Sequence, residues 1–341
     1  MNKIKKTIRT NQSSVSELRQ DVITGDWVVI ATGRSKRPED YLEENTDALE
    51  TKECPFCDPG IKHQEPDTLI YYKQDEEWSL RVFPNKYPAF SRSKRVKHRE
   101  NGIYFSMDGV GYHEIIVTRD HSRGIPFLMK EEVAEVLDAF RTRYLDLMNR
   151  KSVNYIMFIE NHGNKSGASL VHPHWQMFAI PVISPGVKLE IEGSRLYKKN
   201  NKSCVYCDML KQELSTKKRI VAQNDSFVAF TPFASRSAFE VWIMPKKHQA
   251  YFERITEQEE FEIAEILKIV LEKYFFNLKD VPYNMYLHTS PCDGKDYNFY
   301  HWHIELLPRT STWAGFELGT GIEISTIEPE KAATFLRKKI N

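Results

Sequence analysis

The sequence predicts an α+β protein built as two tandem half-molecules, with antiparallel sheets and flanking helices. Three observations predict it. Cys54-Pro-Phe-Cys57 and Cys204-Val-Tyr-Cys207 are each followed by one histidine, His121 or His248, and then by a His-x-His, His172-Pro-His174 or His301-Trp-His303. The intervals agree, with 51 residues from His121 to His172 and 53 from His248 to His301. Around these landmarks the apolar pattern reads strand–strand–helix–strand–strand twice, which is an α+β order.

The elements follow in turn. His113-Glu-Ile-Ile-Val117 reads as a buried strand ending near His121. Lys130 to Arg150 reads as a helix, with Val133, Val136, Leu137, Phe140, Tyr144 and Leu147 at helical spacing. A strand is expected at Asn154–Ile159, then a loop from Glu160 to Ser169, then a strand at Trp175–Ile180. In the second half, Phe239–Met244 reads as a strand ending near His248. Thr256-Glu-Gln-Glu259 is a capping box, and the helix it opens carries Phe261, Ala264, Ile266, Leu267, Val270 and Tyr274. Strands are expected at Asn284–His288 and His301–Leu307, and a last helix at Pro329, a good first-turn residue. Ser184–Lys202 is the expected seam, dividing the chain into 1–185 and 186–341.

Composition narrows the function classes. With 341 residues the chain can hold two cores. A net charge of +1 and the lack of a basic–aromatic stripe argue against nucleic acid as a partner. No apolar run approaches a membrane span. The basic N-terminus lacks the apolar stretch of a secretory signal, so a cytoplasmic protein is expected. Four of the five cysteines sit in Cys-x-x-Cys pairs, which suits metal ligation in a reducing compartment better than disulfides; Cys292 is left as a free thiol.

Two thiolates of a Cys-x-x-Cys converge on one tetrahedral ion, and imidazoles from elsewhere complete it. The expected sets are Cys54, Cys57, His121 and His172, and Cys204, Cys207, His248 and His301. Sulfur with imidazole favours zinc, with iron the alternative at the second set. Two other arrangements stay open: all four cysteines on one ion, or His288 and His303 replacing ligands of the second set. His63 and His98 lie in polar stretches and read as solvated, and His113 and His162 carry no signal of their own.

His172 and His174 are two apart, so in a strand they face one way. One can bind metal while the other reacts. Imidazole is a competent nucleophile near neutral pH, and phosphorus is its natural target. A backbone carbonyl accepting the proton of one ring nitrogen would fix the tautomer. Gly167-Ala-Ser169 can offer N–H groups and a hydroxyl to phosphate oxygens. Gln176, on the face of His174, can donate to a phosphoryl oxygen.

These residues resemble the galactose-1-phosphate uridylyltransferases of the histidine-triad superfamily. The likeness runs from Arg19–Ile30 and Gly33-Arg-Ser-Lys-Arg-Pro38 through Arg81–Pro88, Asp120-His-Ser122 and the block Phe158–Gln176 to Ala314-Gly-Phe-Glu317. The resemblance implies two histidine-triad-like domains and a dimer. It implies a two-step exchange, in which His174 attacks the α-phosphorus of UDP-glucose and galactose 1-phosphate then takes the uridylyl group. It implies that Gln176 holds the phosphoryl oxygens and Ser169 the β-phosphate. Asn85 and Asn161 would contact the nucleotide or its phosphates, and Arg34 and Arg37 would lie near the phosphates. Phe316 and Glu317 would meet the hexose, in a partner subunit's site. The His172 metal would be structural. Cys204 and Cys207 depart from many transferases and look like the ligands of related two-zinc members, some of them ADP-glucose phosphorylases. Trp175 fills a slot that is commonly small in the transferases, where its ring is expected to reshape the pocket. Gln176, where superfamily hydrolases carry a third histidine, favours transfer over hydrolysis. A zinc-stabilised binding module is the non-enzyme alternative.

Overall fold

The structure, a computed structural model, describes residues 16–32, 53–93 and 95–339. Its strands are β1 Glu17–Gln20, β2 Trp27–Ile30, β3 Leu69–Tyr72, β4 Trp78–Pro84, β5 His98–Asn101, β6 Tyr104–Met107, β7 Tyr112–Thr118, β8 Tyr155–His162 and β9 His174–Ile180 in the first half. The second half supplies β10 Ile220–Gln223, β11 Phe227–Phe230, β12 Val241–Pro245, β13 Tyr283–His288, β14 His303–Pro308 and β15 Ile324–Ser325. The helices are α1 Lys130–Leu147, α2 Pro185–Asn201, α3 Val205–Thr216, α4 Glu257–Asn277, α5 Gly315–Thr320 and α6 Pro329–Leu336.

One ten-stranded sheet runs through both halves in the order β10-β11-β12-β14-β13-β8-β9-β7-β4-β3. All of its pairings are antiparallel, and the halves meet where β13 pairs with β8 from Tyr283↔His162 to Leu287↔Phe158. This pairing carries β8 through Glu160, Asn161 and His162, which the sequence pattern reads as loop. A strand continues for as long as its neighbour satisfies its backbone groups, and here that neighbour lies over a hundred residues away in sequence.

Period-2 alternation gives the sheet two different faces. Phe158, Trp175, Met177 and Ala179 point to the face covered by α1 and α4, in a core that includes Phe140, Phe252, Leu267 and Trp302. α4 starts at the expected capping box, with the Glu259 N–H donating to Thr256 Oγ1 (3.2 Å) and the Thr256 N–H donating to Glu259 Oε2 (2.8 Å). The opposite face carries the registered row Trp242, Glu305, Tyr286, Ile159, Gln176, Ile115 and Phe83. Over its second half lie α2 and α3, with Val187, Ile191, Val205 and Tyr206 packed against Phe230 and Trp242. Over its first half lies the Cys54–Cys57 segment, with Phe56 and Ile61 packed on Phe83, Ile115 and Val117.

Two further segments take definite form. The segment expected as the seam, Ser184–Lys202, is occupied by the 17-residue helix α2, with Ser184 and Lys202 as its caps. Its Val187 and Ile191 are buried four residues apart, and Pro185 opens it. The strand expected from Phe239 starts at Val241, because Phe239 has φ +65° and the Glu240 carboxylate accepts the N–H groups of Arg236 and Ser237, closing a turn.

Gly193 in α2 lies so close to the β1–β2 turn that a Cβ there would stand 1.8 Å from the Ile23 carbonyl oxygen. Gly193→Ala is therefore expected to destabilise the protein by about 1–3 kcal/mol despite the better helix propensity of alanine. Gly186→Ala, in the same helix with nothing within 4 Å of the new Cβ, is the control and does not destabilise. Urea unfolding of both variants checks this.

Candidate active site and metal centres

The Cys and His landmarks converge as expected into two groups of four, one per half. Cys54, Cys57, His121 and His172 form one, and Cys204, Cys207, His248 and His301 the other, with one ligand atom of each residue within 4.8 Å of the rest. In the first group the Cys57 Sγ lies 3.3 Å from His121 Nδ1 and 3.5 Å from His172 Nδ1, and Cys54 Sγ lies 3.6 Å from His172 Nδ1. In the second, Cys207 Sγ lies 3.3 Å from His248 Nδ1 and 3.7 Å from His301 Nδ1. Tetrahedral zinc with ordinary Zn–S and Zn–N bonds places sulfur and nitrogen about 3.6 Å apart, so both groups fit that ion.

The far ring nitrogens fit it too. His172 Nε2 is 2.8 Å from the Thr118 carbonyl oxygen, His248 Nε2 is 2.9 Å from that of Asn298, and His301 Nε2 is 3.0 Å from that of Pro245. A proton donated there leaves each Nδ1 lone pair free for a metal. Burial, outweighing the hydrogen bond to Thr118, lowers the His172 pKa to about 4, so its imidazole is neutral at pH 7 as a ligand must be. In the second group the hydrogen bond from Cys207 holds the Cys204 thiol well below its usual range. His248 and His301 add to that effect against burial.

The two halves then diverge at the second histidine of each His-x-His. In both, Nδ1 faces the carbonyl oxygen of the preceding histidine: 2.9 Å from His174 to His172, and 3.1 Å from His303 to His301. In both, an aromatic ring of the Cys-x-x-Cys packs at 5.3 Å, Phe56 on His174 and Tyr206 on His303. His303 is sealed, with no exposed surface, under the Trp242 ring at 4.8 Å. Its Nε2 faces Glu305 Oε1 at 3.3 Å. His288 Nδ1 lies 2.9 Å from Glu190 Oε1, and Arg236 pairs with Glu305. Burial pushes the Glu305 carboxyl up, but Arg236, then His288 and His303, outweigh it and hold it well below the usual range. Glu190, His288, His303 and Glu305 thus form a third converging group, separate from the four residues around His301.

The first half is open. His174 is 8% exposed and Gln176 half-buried beside it, one strand pair from Ile115 and Ile159. Burial lowers the His174 pKa against the opposing hydrogen bond to His172, so the ring is neutral at pH 7 with Nε2 as the free lone pair. A cavity of about 560 Å³ runs from Asn161 and Gly163 past Ser169 to His172 and His174, and back to Leu271, Phe275 and Tyr283. Gly167 turns the loop at φ +87°, where a side chain would be strained. Asn161 Oδ1 accepts from Asn284 Nδ2 (2.6 Å), which also donates to the Ser166 carbonyl (2.9 Å), so β13 of the second half braces this loop.

Other expected residues fall as follows. Asn85 lies 3.1 Å from His113 Nε2, and that nitrogen lies 2.8 Å from Gln176 Oε1, so Asn85 joins the site through His113. His113 was given no role by sequence reading; its place opposite Phe178 in the β7–β9 register is the signal that finds it. Phe316 and Glu317 lie on the short helix α5, with Phe316 47% exposed and the Glu317 carboxylate accepting from the Ala314 N–H (3.0 Å). Among the described residues neither is hydrogen-bonded or ring-stacked to the His174 block. Arg34 and Arg37 lie outside the described residues. The Trp175 ring lies on the other face of β9 from His174 and Gln176. It points into the helix-covered core, fully buried, and donates from Nε1 to Glu160 Oε2 (3.0 Å).

A sheet shared by two such halves, each with its Cys-x-x-Cys and His-x-His, defines a duplicated α+β protein of the nucleotidyltransferase class in which one half stays open. Both domains of galactose-1-phosphate uridyl transferase match the chain, the N-terminal domain over residues 5–184 and the C-terminal domain over 190–337. The chain belongs to that family. It is 32% identical to an ADP-glucose phosphorylase of Arabidopsis thaliana, covering 96% of this chain and 93% of that one. It is 30% identical to a galactose-1-phosphate uridylyltransferase of Thermotoga maritima, covering 94% and 98%. Among solved structures, an Arabidopsis thaliana ADP-glucose phosphorylase with bound ADP-glucose superposes with a TM-score of 0.81 at 30% identity, covering 95% of this chain and 99% of that one. A uridylyltransferase structure gives 0.74 at 26%, covering 95% and 97%.

Glu160 supplies a stability test of this region. Burial raises its carboxyl from 4.5 to about 7, against hydrogen bonds from Trp175 and Tyr283. A raised carboxyl favours the protonated folded state, so this contribution is complete below pH 4.5 and is lost as pH climbs to about 7. Glu160→Gln lacks that slope. Urea unfolding across the pH range is expected to shift in the variant's favour by up to about 3 kcal/mol between pH 4.5 and 8. A difference independent of pH would contradict the assignment.

Proposed function

We propose that the chain transfers a nucleoside monophosphate from a nucleotide sugar to an acceptor phosphate through His174, with UDP-glucose as donor and galactose 1-phosphate as acceptor. The observation that carries this is the 2.9 Å contact from His174 Nδ1 to the His172 carbonyl oxygen. It commits the ring proton to Nδ1 and leaves Nε2 as nucleophile on the open face beside Gln176. Nε2 attacks the α-phosphorus, a P–N bond forms and the P–O bond to glucose 1-phosphate breaks. A phosphate oxygen of galactose 1-phosphate then attacks the same phosphorus, the P–N bond breaks, and neutral His174 is restored.

In this reading Gln176 donates to the phosphoryl oxygens, and Ser169 and the Gly167 turn hold the β-phosphate. Asn85 and Asn161 contact the nucleotide or its phosphates. Arg34 and Arg37 lie near the phosphates. Phe316 and Glu317, on an exposed helix, meet the hexose in the partner subunit of a homodimer. Cys54, Cys57, His121 and His172 hold a structural zinc that pins the peptide carrying His174. Cys204, Cys207, His248 and His301 hold a second ion, zinc or iron, in the same way. The units are 1–185 and 186–341, the first catalytic, in a reducing cytoplasm. Among the described residues no helix is long and apolar enough to cross a membrane.

A second reading, adenylyl transfer from ADP-glucose to inorganic phosphate, is favoured by the likeness to the Arabidopsis thaliana phosphorylase and by the all-Cys/His second group. Intact-protein mass spectrometry after brief exposure to each donor separates the two. The expected result is a UMP adduct from UDP-glucose that galactose 1-phosphate removes. An AMP adduct discharged by phosphate supports the second reading, and no adduct from either donor contradicts both. His174→Ala is expected to abolish the adduct while metal content stays at two ions per chain, whereas His172→Ala loses one ion, as elemental analysis would read.

A further inference from the structure

His113 stands between the two residues proposed to grip the donor. It is 7% exposed, on β7, with its ring stacked on Phe178 at 4.0 Å. Three polar groups meet its two nitrogens. The backbone N–H of Ala89 donates to Nδ1 at 3.3 Å. Gln176 Oε1 lies 2.8 Å from Nε2, and Asn85 Nδ2 lies 3.1 Å from the same nitrogen. Burial lowers the His113 pKa, with the contact to Gln176 opposing it, so the ring carries one proton at pH 7.

One proton decides the arrangement. A backbone N–H cannot invert, so Ala89 makes Nδ1 the acceptor and puts the proton on Nε2. That proton is donated to Gln176 at the shortest of the three contacts. Gln176 then has its carbonyl turned inward, and its NH₂ is presented to the open face. With the other tautomer Nε2 would need a donor, Gln176 would turn its NH₂ inward, and its carbonyl would meet an anionic phosphate. Asn85 is affected as well. Its Oδ1 accepts the Tyr87 N–H at 2.8 Å, which fixes its amide, and a protonated Nε2 offers its NH₂ no acceptor. That NH₂ is left as a donor for an oxygen of the bound nucleotide.

We infer that His113 is a positioning residue, whose Nε2–H fixes the Gln176 amide with its NH₂ toward the transferring phosphoryl group and frees the Asn85 amide for the nucleotide. This rests on His174 being the nucleotidylated residue. The effect belongs to the rate of transfer more than to donor affinity, because a wrongly turned amide opposes charge that grows on the phosphoryl oxygens.

The test is single-turnover labelling of the metal-replete protein by UDP-glucose and, separately, ADP-glucose. His113→Phe keeps the stack on Phe178 and removes the hydrogen bond. At saturating donor its labelling rate is expected to fall roughly 10- to 100-fold with half-saturation little changed. His113→Gln, whose NH₂ can stand in for Nε2–H, recovers part of the rate. In a Gln176→Ala background His113→Phe adds little, because the group it positions is gone. A wild-type rate for His113→Phe, or its full effect persisting without Gln176, overturns the inference. If wild type is labelled by neither donor, the functional reading fails instead. Long-range ¹H–¹⁵N spectra of the His113 imidazole test the inference without substrate. An Nε2–H ring is expected, and an Nδ1–H ring overturns it.

Discussion

A single contact from an imidazole to a backbone carbonyl organises this molecule. His174 Nδ1 faces the carbonyl oxygen of His172 at 2.9 Å. A neutral imidazole has one proton, and placing it on Nδ1 leaves the lone pair of Nε2 free, as the proposed nucleophile requires. The contact holds only if His172 is itself immobile. Its ring is anchored at both ends, by the Thr118 carbonyl at 2.8 Å and by the Cys54–Cys57–His121 group. The Cys/His group therefore fixes the position of the His174 ring through one peptide unit. Phe56 packs against both rings, at 5.8 Å on His172 and 5.3 Å on His174, and closes the same corner.

The second half repeats this arrangement and shows what openness adds. His303 has the same backbone contact and the same aromatic neighbour, but α2 brings Glu190 over it and Trp242 covers its ring. In the first half the residue in register with the open row is Gln176, and in the second it is Glu305, paired with Arg236. A neutral amide donor can meet phosphate; a carboxylate committed to a buried arginine cannot. The duplicated fold thus leaves one half open and seals the other, and the proposed chemistry falls to the open half, which the sealed one supports. Asn284 braces the loop before Ser169, and α4 closes the back of the cavity.

Much of this was legible in the sequence, for identifiable reasons. Cysteine and histidine carry chemistry that few other residues share, so their repeated spacing named both groups of four correctly as converging sets. The capping box at Thr256 and the helical spacing in α1 are local signals, and both held. What could not be read depends on distant partners. Glu160–His162 is strand because β13 lies beside it. Alternation along β9 already sets Trp175 opposite His174 and Gln176, but the pairing with β8 that brings Glu160 to its N–H is not in the local pattern. His113 gains its place from strand pairing with Phe178, and its spacing in sequence gives no hint of that. His288 and His303 were open alternatives for the second group. In the fold they meet Glu190 and Glu305, while His301 alone of the His-x-His meets the cysteines.

The most direct measurement is the position of the bond in the covalent intermediate. Protein labelled with ¹⁵N-histidine and loaded from the productive donor would be examined by ³¹P–¹⁵N correlation, with peptide mapping of the adduct. The account predicts one nucleotide per chain, bonded to Nε2 of His174. A bond to Nδ1, or a nucleotide on His303, would contradict it.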